Sequence, residues 1–147
     1  EGNGWSCKYA RRQWSLVDRE DLKYKFLGKF DEDIIHLVRS KRGFQATPVE
    51  KLWEKDDDQV LAFKRGDLVF VFNFNPAKSF TDYGILAPEG SYVHVLNSDA
   101  PEYGGYGNID QSVKHLTSHD PLYAPHGVGW LQLYMPARSV QVLRFKK

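Results

Sequence analysis

The chain has 147 residues, of which 41% are hydrophobic, 14% aromatic and 27% charged, a composition typical of a globular protein and not of a disordered or fibrous one. Twenty basic residues against 19 acidic ones leave a formal net charge of +1, so no overall field draws the protein to nucleic acid or to an anionic membrane. We therefore expect one main folded domain that has neither nucleic acid nor a membrane as partner.

The cysteine content and the first residues bear on the cellular compartment. The single cysteine, Cys7, cannot form an internal disulfide, which is typical of a reducing compartment. No run approaches the roughly 20 apolar residues of a membrane helix, and the chain starts at Glu1 without the features of a signal peptide. We expect a cytoplasmic protein, and the start without methionine suggests a piece cut from a longer one.

One amphipathic helix is predicted near the start of the chain. Residues 1–18 follow no regular period and read as a loop. Asp18 can cap a helix over residues 19–40, which Gly43 would end. The apolar positions of this helix share one face, and they are Leu22, Phe26, Phe30, Ile34 and Leu37. We expect the face to be covered in part by the β-structure that follows and in part by a second copy of the chain.

The hydrophobic period changes from 3.6 to 2 at Val60, which predicts strands. Gly66-Asp67 reads as a hairpin turn. Strands are also expected at about 91–97, 129–135 and 139–146, with a weaker one near 113–118, and turns at 84–90, 99–108 and 120–129. Three alternating phenylalanines, Phe70, Phe72 and Phe74, should face the interior of the domain. The predicted fold class is mainly β, an antiparallel β-sandwich preceded by one long amphipathic helix.

Three motifs carry a family resemblance. Tyr9–Trp14 reads YARRQW, Phe72–Tyr83 reads FNFNPAKSFTDY, and residues 96–110 contain LNSD and EYGGY. Their order and spacing resemble the 1,4-α-glucan branching enzymes of glycoside hydrolase family 13, which more often have His at position 75 and Tyr at position 80. The resemblance divides the chain into 1–48, the helical end of a catalytic (β/α)8 barrel, and 49–147, an all-β sandwich domain of the α-amylase type.

The resemblance implies the C-terminal part of a retaining transglycosylase of glycogen or starch biosynthesis. Such an enzyme cleaves an α-1,4 glucan and transfers it to a 6-hydroxyl. A retaining mechanism requires two carboxyl groups about 5 to 5.5 Å apart, and in the family these lie upstream of this segment. We therefore assign no catalytic residue to this chain and expect it to be inactive alone, with α-glucan as the partner of the parent enzyme and no cofactor.

Two groups of side chains are candidates for glucan contact. Trp5, Tyr9, Arg11 and Arg12 could line the rim of a glucan cleft, although core packing of the aromatics and carboxylate pairing of the arginines are the favoured explanation. Tyr103 and Tyr106, like Tyr123, lie in turn-rich segments and could form an exposed platform for sugar rings, although single exposed aromatics are common.

Metal binding is disfavoured. His115 and His119 have a spacing that would suit zinc on a helix, but the residues between them are poor helix formers and a third ligand is not evident. The acidic run 56–58 lacks the alternating positions of a calcium loop and reads as a solvated turn before the first strand. The alternative function is a self-standing carbohydrate-binding β-sandwich, which the helix in residues 1–45 argues against, because a binding module does not need it.

Overall fold

The computed structural model describes residues 13–120, 122 and 124–147 of the chain. One α-helix, α1 (Tyr24–Arg39), precedes eight strands. The strands are β1 (Val49–Lys55), β2 (Val60–Arg65), β3 (Leu68–Asn73), β4 (Phe80–Pro88), β5 (Ser91–Asn97), β6 (Lys114–Leu116), β7 (Val128–Met135) and β8 (Ser139–Lys146). The prediction of a mainly β fold behind one helix is confirmed. Within the described residues, no helix has the length and apolar character needed to cross a membrane.

The strands form two antiparallel sheets. The larger, sheet A, has six strands in the order β1-β2-β3-β8-β5-β6, and the smaller, sheet B, pairs β4 with β7. Gly66, with φ of 63°, sits in the predicted hairpin turn between β2 and β3. The sheets enclose one core cluster of mostly aliphatic side chains that includes Val69, Val71, Ile85 and Leu131. This layering is a β-sandwich with one large and one small sheet.

The opposite face of sheet A carries the helix. Phe30, Ile34 and Leu37 of α1 pack against a second core cluster that contains Leu68 and Phe70. This confirms that the β-structure covers part of the helical stripe. It corrects the orientation expected for the phenylalanines of β3, because alternation places Val69 and Val71 in the interior between the sheets and Phe70 and Phe72 under the helix. Phe74, beyond the end of β3, is 58% exposed.

The helix is shorter than predicted at its start. Lys23 is the N-cap residue, without a side-chain capping bond, so Asp18 does not cap α1. Residues 13–23 form a short 3-10 helix (Trp14–Leu16) and turns instead. The helix ends at Arg39, close to the predicted end, but Ser40 is its C-cap. Gly43, left-handed with φ of 73°, precedes the 3-10 helix Phe44–Ala46 and does not cap α1.

The sequence analysis missed two strands. β1 is a mixed strand whose residues are half-buried or exposed, so its alternation is weak, and the acidic turn at 56–58 lies between β1 and β2 and not before the first strand. β4 includes Gly84, which was assigned to a turn. A Cβ at Gly84 would lie 3.1 Å from the Trp130 ring, so glycine allows the strand to approach this indole closely.

The unpaired edge of β7 accepts hydrogen bonds from, and donates them to, residues of sheet A and of the loop that follows β6. Ser118 and Trp130 exchange both backbone hydrogen bonds. Gln141 Nε2 donates to the Tyr134 carbonyl at 2.7 Å. Trp130 and Tyr134 of β7 therefore have backbone partners across the sandwich, which satisfies some of the groups that a two-stranded sheet would leave open.

Candidate ligand groove beside the helix

A groove of about 550 Å³ runs between the first half of α1, the end of β3 and the short helical turn Pro101–Tyr103. Most of its lining is apolar and aromatic. The main lining side chains are Phe26, Leu27, Phe30, Phe72, Phe74 and Tyr103. Its volume lies in the range of about 300–1,000 Å³ that small-molecule sites occupy.

The floor of the groove is the end of a stack of four phenylalanine rings. Phe63 stacks on Phe70 at 4.9 Å and on Phe72 at 5.9 Å, and Phe72 stacks on Phe74 at 5.3 Å with planes 7° apart. The stack starts in the buried core under the helix and ends at the exposed ring of Phe74. An ordered aromatic face is therefore presented to solvent at one end of sheet A.

Tyr103 forms the side of the groove and links it to the helix. Its ring meets Phe30 edge to face at 5.2 Å, and its hydroxyl donates a 2.7 Å hydrogen bond to Asp33 of α1. Burial, together with the Asp33 carboxylate, raises the pKa of the Tyr103 hydroxyl. The hydroxyl thus stays protonated and holds the turn against the helix.

Asn73 fixes the backbone at the base of the groove. Its Nδ2 atom donates to the carbonyls of Lys78, Met135 and Pro136 at 2.9 to 3.2 Å, and its Oδ1 accepts from the Asn75 N–H. The family motif FNFN therefore supplies aromatic rings on one side and a buried amide clamp on the other. This clamp was not recognised in the sequence, because an Asn after a strand is equally typical of an ordinary turn.

Two cations line the groove, Lys23 and Arg138, and its lining contains no carboxylate. Neither cation forms a salt bridge with another residue of the described ranges 13–120, 122 and 124–147. Arg138 has a φ of 55°, and its backbone N–H donates to the Asn75 carbonyl at 3.1 Å. A non-glycine residue in this conformation persists only where its surroundings hold it.

Of the sequence-predicted glucan contacts, the structure describes Tyr103 and Tyr106. Trp5, Tyr9, Arg11 and Arg12 lie outside the described residues, as does Tyr123. Tyr103 lies in the groove, where it joins phenylalanines that were assigned to the core. Tyr106 is 88% exposed and is not part of the groove lining. The role of all six candidates in glucan binding stays a prediction.

The loop that carries Tyr106 is shaped by Asp99. The two carboxylate oxygens of Asp99 accept hydrogen bonds from the backbone N–H groups of Tyr106 and Asn108. A Cβ at Gly105 would lie 2.2 Å from the Asp99 carbonyl group, so only glycine fits there. Backbone packing thus explains the glycine at position 105 of the EYGGY motif. It does not explain Tyr106, whose side chain is exposed.

The histidines do not form a metal site. His115 lies on β6 and His119 in the loop after it, so their spacing is not helical, and His119 pairs with Glu89 at 2.6 Å. His115 is half-buried, and its ring is 5.1 Å from that of His94, which bonds Gln141. Burial lowers the pKa of both His94 and His115. No cluster of three or more metal-binding side chains occurs in the part of the chain that the structure describes.

The comparison with known families agrees with this architecture. Residues 53–146 match the family described as alpha amylase, C-terminal all-beta domain. The fold and this match define an all-β domain of the α-amylase type, and the chain belongs to that family.

Several curated proteins extend the similarity beyond the all-β domain. The chain is 41% identical over 143 residues to the 1,4-alpha-glucan-branching enzyme of Yarrowia lipolytica, an alignment that covers 97% of the chain and 20% of that protein. It is 44% identical over 147 residues to the enzyme of the same name from Felis catus, covering 98% of the chain and 20% of the relative. For the Solanum tuberosum enzyme the identity is 43% over 120 residues, 80% of the chain and 14% of the relative. The chain spans only 14–20% of the length of these relatives.

Proposed function

We propose that the chain is the C-terminal part of a 1,4-α-glucan branching enzyme, a retaining transglycosylase of glycoside hydrolase family 13 that forms the α-1,6 branches of glycogen or starch. One observation carries this proposal. The similarity to branching enzymes reaches 97% of the chain and so includes α1, which lies before the matched all-β domain at 53–146. A free binding module would need only the β-sandwich.

The contribution of this part to the activity is structural. We place residues 1–48 at the end of the catalytic barrel and residues 49–147 in the all-β domain. The helix has a second apolar face, away from sheet A, in which Tyr24 and Ile35 are 51% and 47% exposed and Val17 lies against Gly28. In the parent enzyme this face packs against the barrel. In the isolated chain this helix face pairs with the same face of a second copy, because a two-fold dimer would remove both apolar faces from water.

The reaction itself is performed elsewhere in the parent. The carboxylates that a retaining mechanism requires lie upstream, and the parent binds α-glucan without a cofactor. Trp5, Tyr9, Arg11, Arg12, Tyr103 and Tyr106 are the glucan-contact candidates that this chain contributes. A cytoplasmic location, without nucleic-acid or membrane partners, is consistent with the near-neutral charge and the single cysteine.

The decisive experiment compares the 147-residue chain with its full-length parent on amylose. Formation of α-1,6 linkages is measured by proton NMR and by the loss of iodine colour. We expect activity from the parent only, because the isolated chain lacks the nucleophile and the acid. Linkage formation by the purified chain would contradict the assignment of catalysis to the upstream part, and an inactive parent would contradict the proposed function as a whole.

The alternative is a self-standing carbohydrate-binding module, and the exposure of Tyr106 is the observation in its favour. It predicts micromolar affinity of the chain for maltoheptaose that Tyr106→Ala abolishes. We expect affinity in the millimolar range or weaker, because a single exposed ring does not bury a sugar. Calorimetry separates the two functions.

A further inference from the structure

The open end of the phenylalanine stack is suited to a pyranose ring. Phe74 is parallel to Phe72 and more than half exposed, so one ring face is available inside the groove. The apolar C–H face of a sugar packs on such a ring, because the face of an aromatic ring is its electron-rich side. Phe72, which is itself stacked on Phe63, holds the Phe74 ring in place, so that ring needs little further ordering when a ligand binds.

The basic side chains of the groove favour an anionic ligand. Lys23 and Arg138 line it without a carboxylate among the lining residues, so the net charge of the lining is positive. Arginine and lysine bind phosphate through charge-assisted hydrogen bonds. The base of the Arg138 side chain is held in place, because its backbone N–H bonds Asn75 and the Asn73 amide holds the neighbouring Pro136 carbonyl.

We propose that this groove binds a hexose monophosphate, with the sugar ring on Phe74 and the phosphate between Lys23 and Arg138. The choice of a hexose rests on the proposed function, whereas the choice of a phosphate rests on the two cations. A neutral glucan would leave both cations unused, and inorganic phosphate would leave the aromatic floor uncovered. The groove volume of about 550 Å³ suits a single phosphorylated ring better than a long chain.

The test is a titration of the 147-residue chain with glucose 6-phosphate, followed by calorimetry and by backbone NMR. We expect saturable binding with chemical-shift changes centred on residues 72–74 and 138. Maltoheptaose and inorganic phosphate, titrated in parallel, should each bind about tenfold more weakly or not at all, because each lacks one of the two interactions.

Two substitutions locate the site. Arg138→Gly removes the guanidinium at a position where glycine accepts the positive φ, so the fold is retained and can be checked by circular dichroism. Phe74→Ala removes the ring from an exposed position. Each should weaken glucose 6-phosphate binding by about tenfold. Tyr134→Ala and Arg42→Gln, an exposed ring and an exposed cation outside this groove, are the matched controls and should leave the affinity unchanged.

Three outcomes would overturn the inference. They are the absence of saturable binding up to about 20 mM ligand, an affinity for inorganic phosphate or maltoheptaose equal to that for glucose 6-phosphate, and an affinity unaffected by both groove substitutions. These results are independent of the branching assay on the parent. A failed titration with an active parent rejects the hexose-phosphate site alone, and an inactive parent rejects the proposed function alone.

Discussion

The two faces of sheet A bury different kinds of side chain. The face toward sheet B is aliphatic and closely filled, with Ala62, Val69 and Leu143 almost without exposure. The face toward the helix is aromatic, and its ring stack leads from the buried Phe70 to the exposed Phe74. Branched aliphatic side chains fill the space between two sheets, whereas one helix cannot cover six strands. The difference shows that the helix leaves part of the aromatic face of sheet A uncovered, and this uncovered part forms the groove that we propose as a binding site.

The largest expected effect comes from the closely packed face. Leu131→Ala should lower the free energy of unfolding by about 2–5 kcal/mol, because a fully buried side chain is removed and the surrounding layers cannot collapse onto the space. Urea denaturation measures this change. Leu116→Ala, at an exposed position of β6, is the control and should change stability by less than about 0.5 kcal/mol. An equal loss of unfolding free energy in Leu131→Ala and Leu116→Ala would contradict the assignment of Leu131 to the interior and Leu116 to the surface.

A smaller effect is expected at the helical face. Phe30→Ala should cost about 1.5–3 kcal/mol, since this ring is only half-buried but contacts both sheet A and Tyr103. Hydrogen exchange should show faster exchange in α1 and unchanged protection in β7. Ile35→Ala on the far side of the helix should leave exchange nearly unchanged when the chain is diluted to the monomer, where the proposed pairing between copies is absent. Uniform loss of protection throughout the chain would mean that the two faces unfold as one unit.

A pH-dependent effect is expected at His94 and His115 of sheet A. Burial lowers the pKa of His94 and His115 from 6.5, so below about pH 6.5 the unfolded chain binds more protons than the folded chain. The free energy of unfolding should therefore fall as the pH drops from 7 to 5, by at most about 1.4 kcal/mol per pH unit for each histidine.

The variant His115→Gln sharpens this pH prediction. The glutamine side chain does not titrate in this pH range, so the slope of stability against pH should decrease. Urea midpoints measured from pH 7.5 to 5 provide the test. A slope that is the same in both proteins would show that these rings do not control the acid sensitivity.

The sequence predicted the elements with strong periodicity and missed those shaped by contacts across the sandwich. β2, β3, β5 and β8 alternate clearly and were placed correctly. β4 was missed because a glycine such as Gly84 is typical of turns. Its place in a strand follows only from the Trp130 ring that packs over it, which the sequence does not reveal. The position of Asp18 as a helix cap was wrong because local capping propensity does not include the turns that occupy residues 17–23.

The candidate site was harder to predict than the fold. The stripe Phe70, Phe72 and Phe74 was recognised, but a period of two cannot show which face a helix will cover or where that helix stops. The groove depends on residues from four distant segments, 23–30, 72–74, 98–104 and 138–140, and the pairing of β3 with β8 explains the proximity of only two of them. The family resemblance identified the motif FNFN without indicating that its second aromatic ring would be exposed.

The outer strand of sheet A has a further consequence for association between molecules. Among the strands of the described residues, β1 pairs on one side only, with β2, and this pairing shifts register between Lys51 and Trp53. Such an irregularity, together with the exposed charges of Lys51, Glu54 and Lys55, makes an edge a poor template for strand addition. The chain should thus resist the edge-to-edge stacking that leads to fibrils even at high concentration, and any self-association should leave its β-sheet content unchanged.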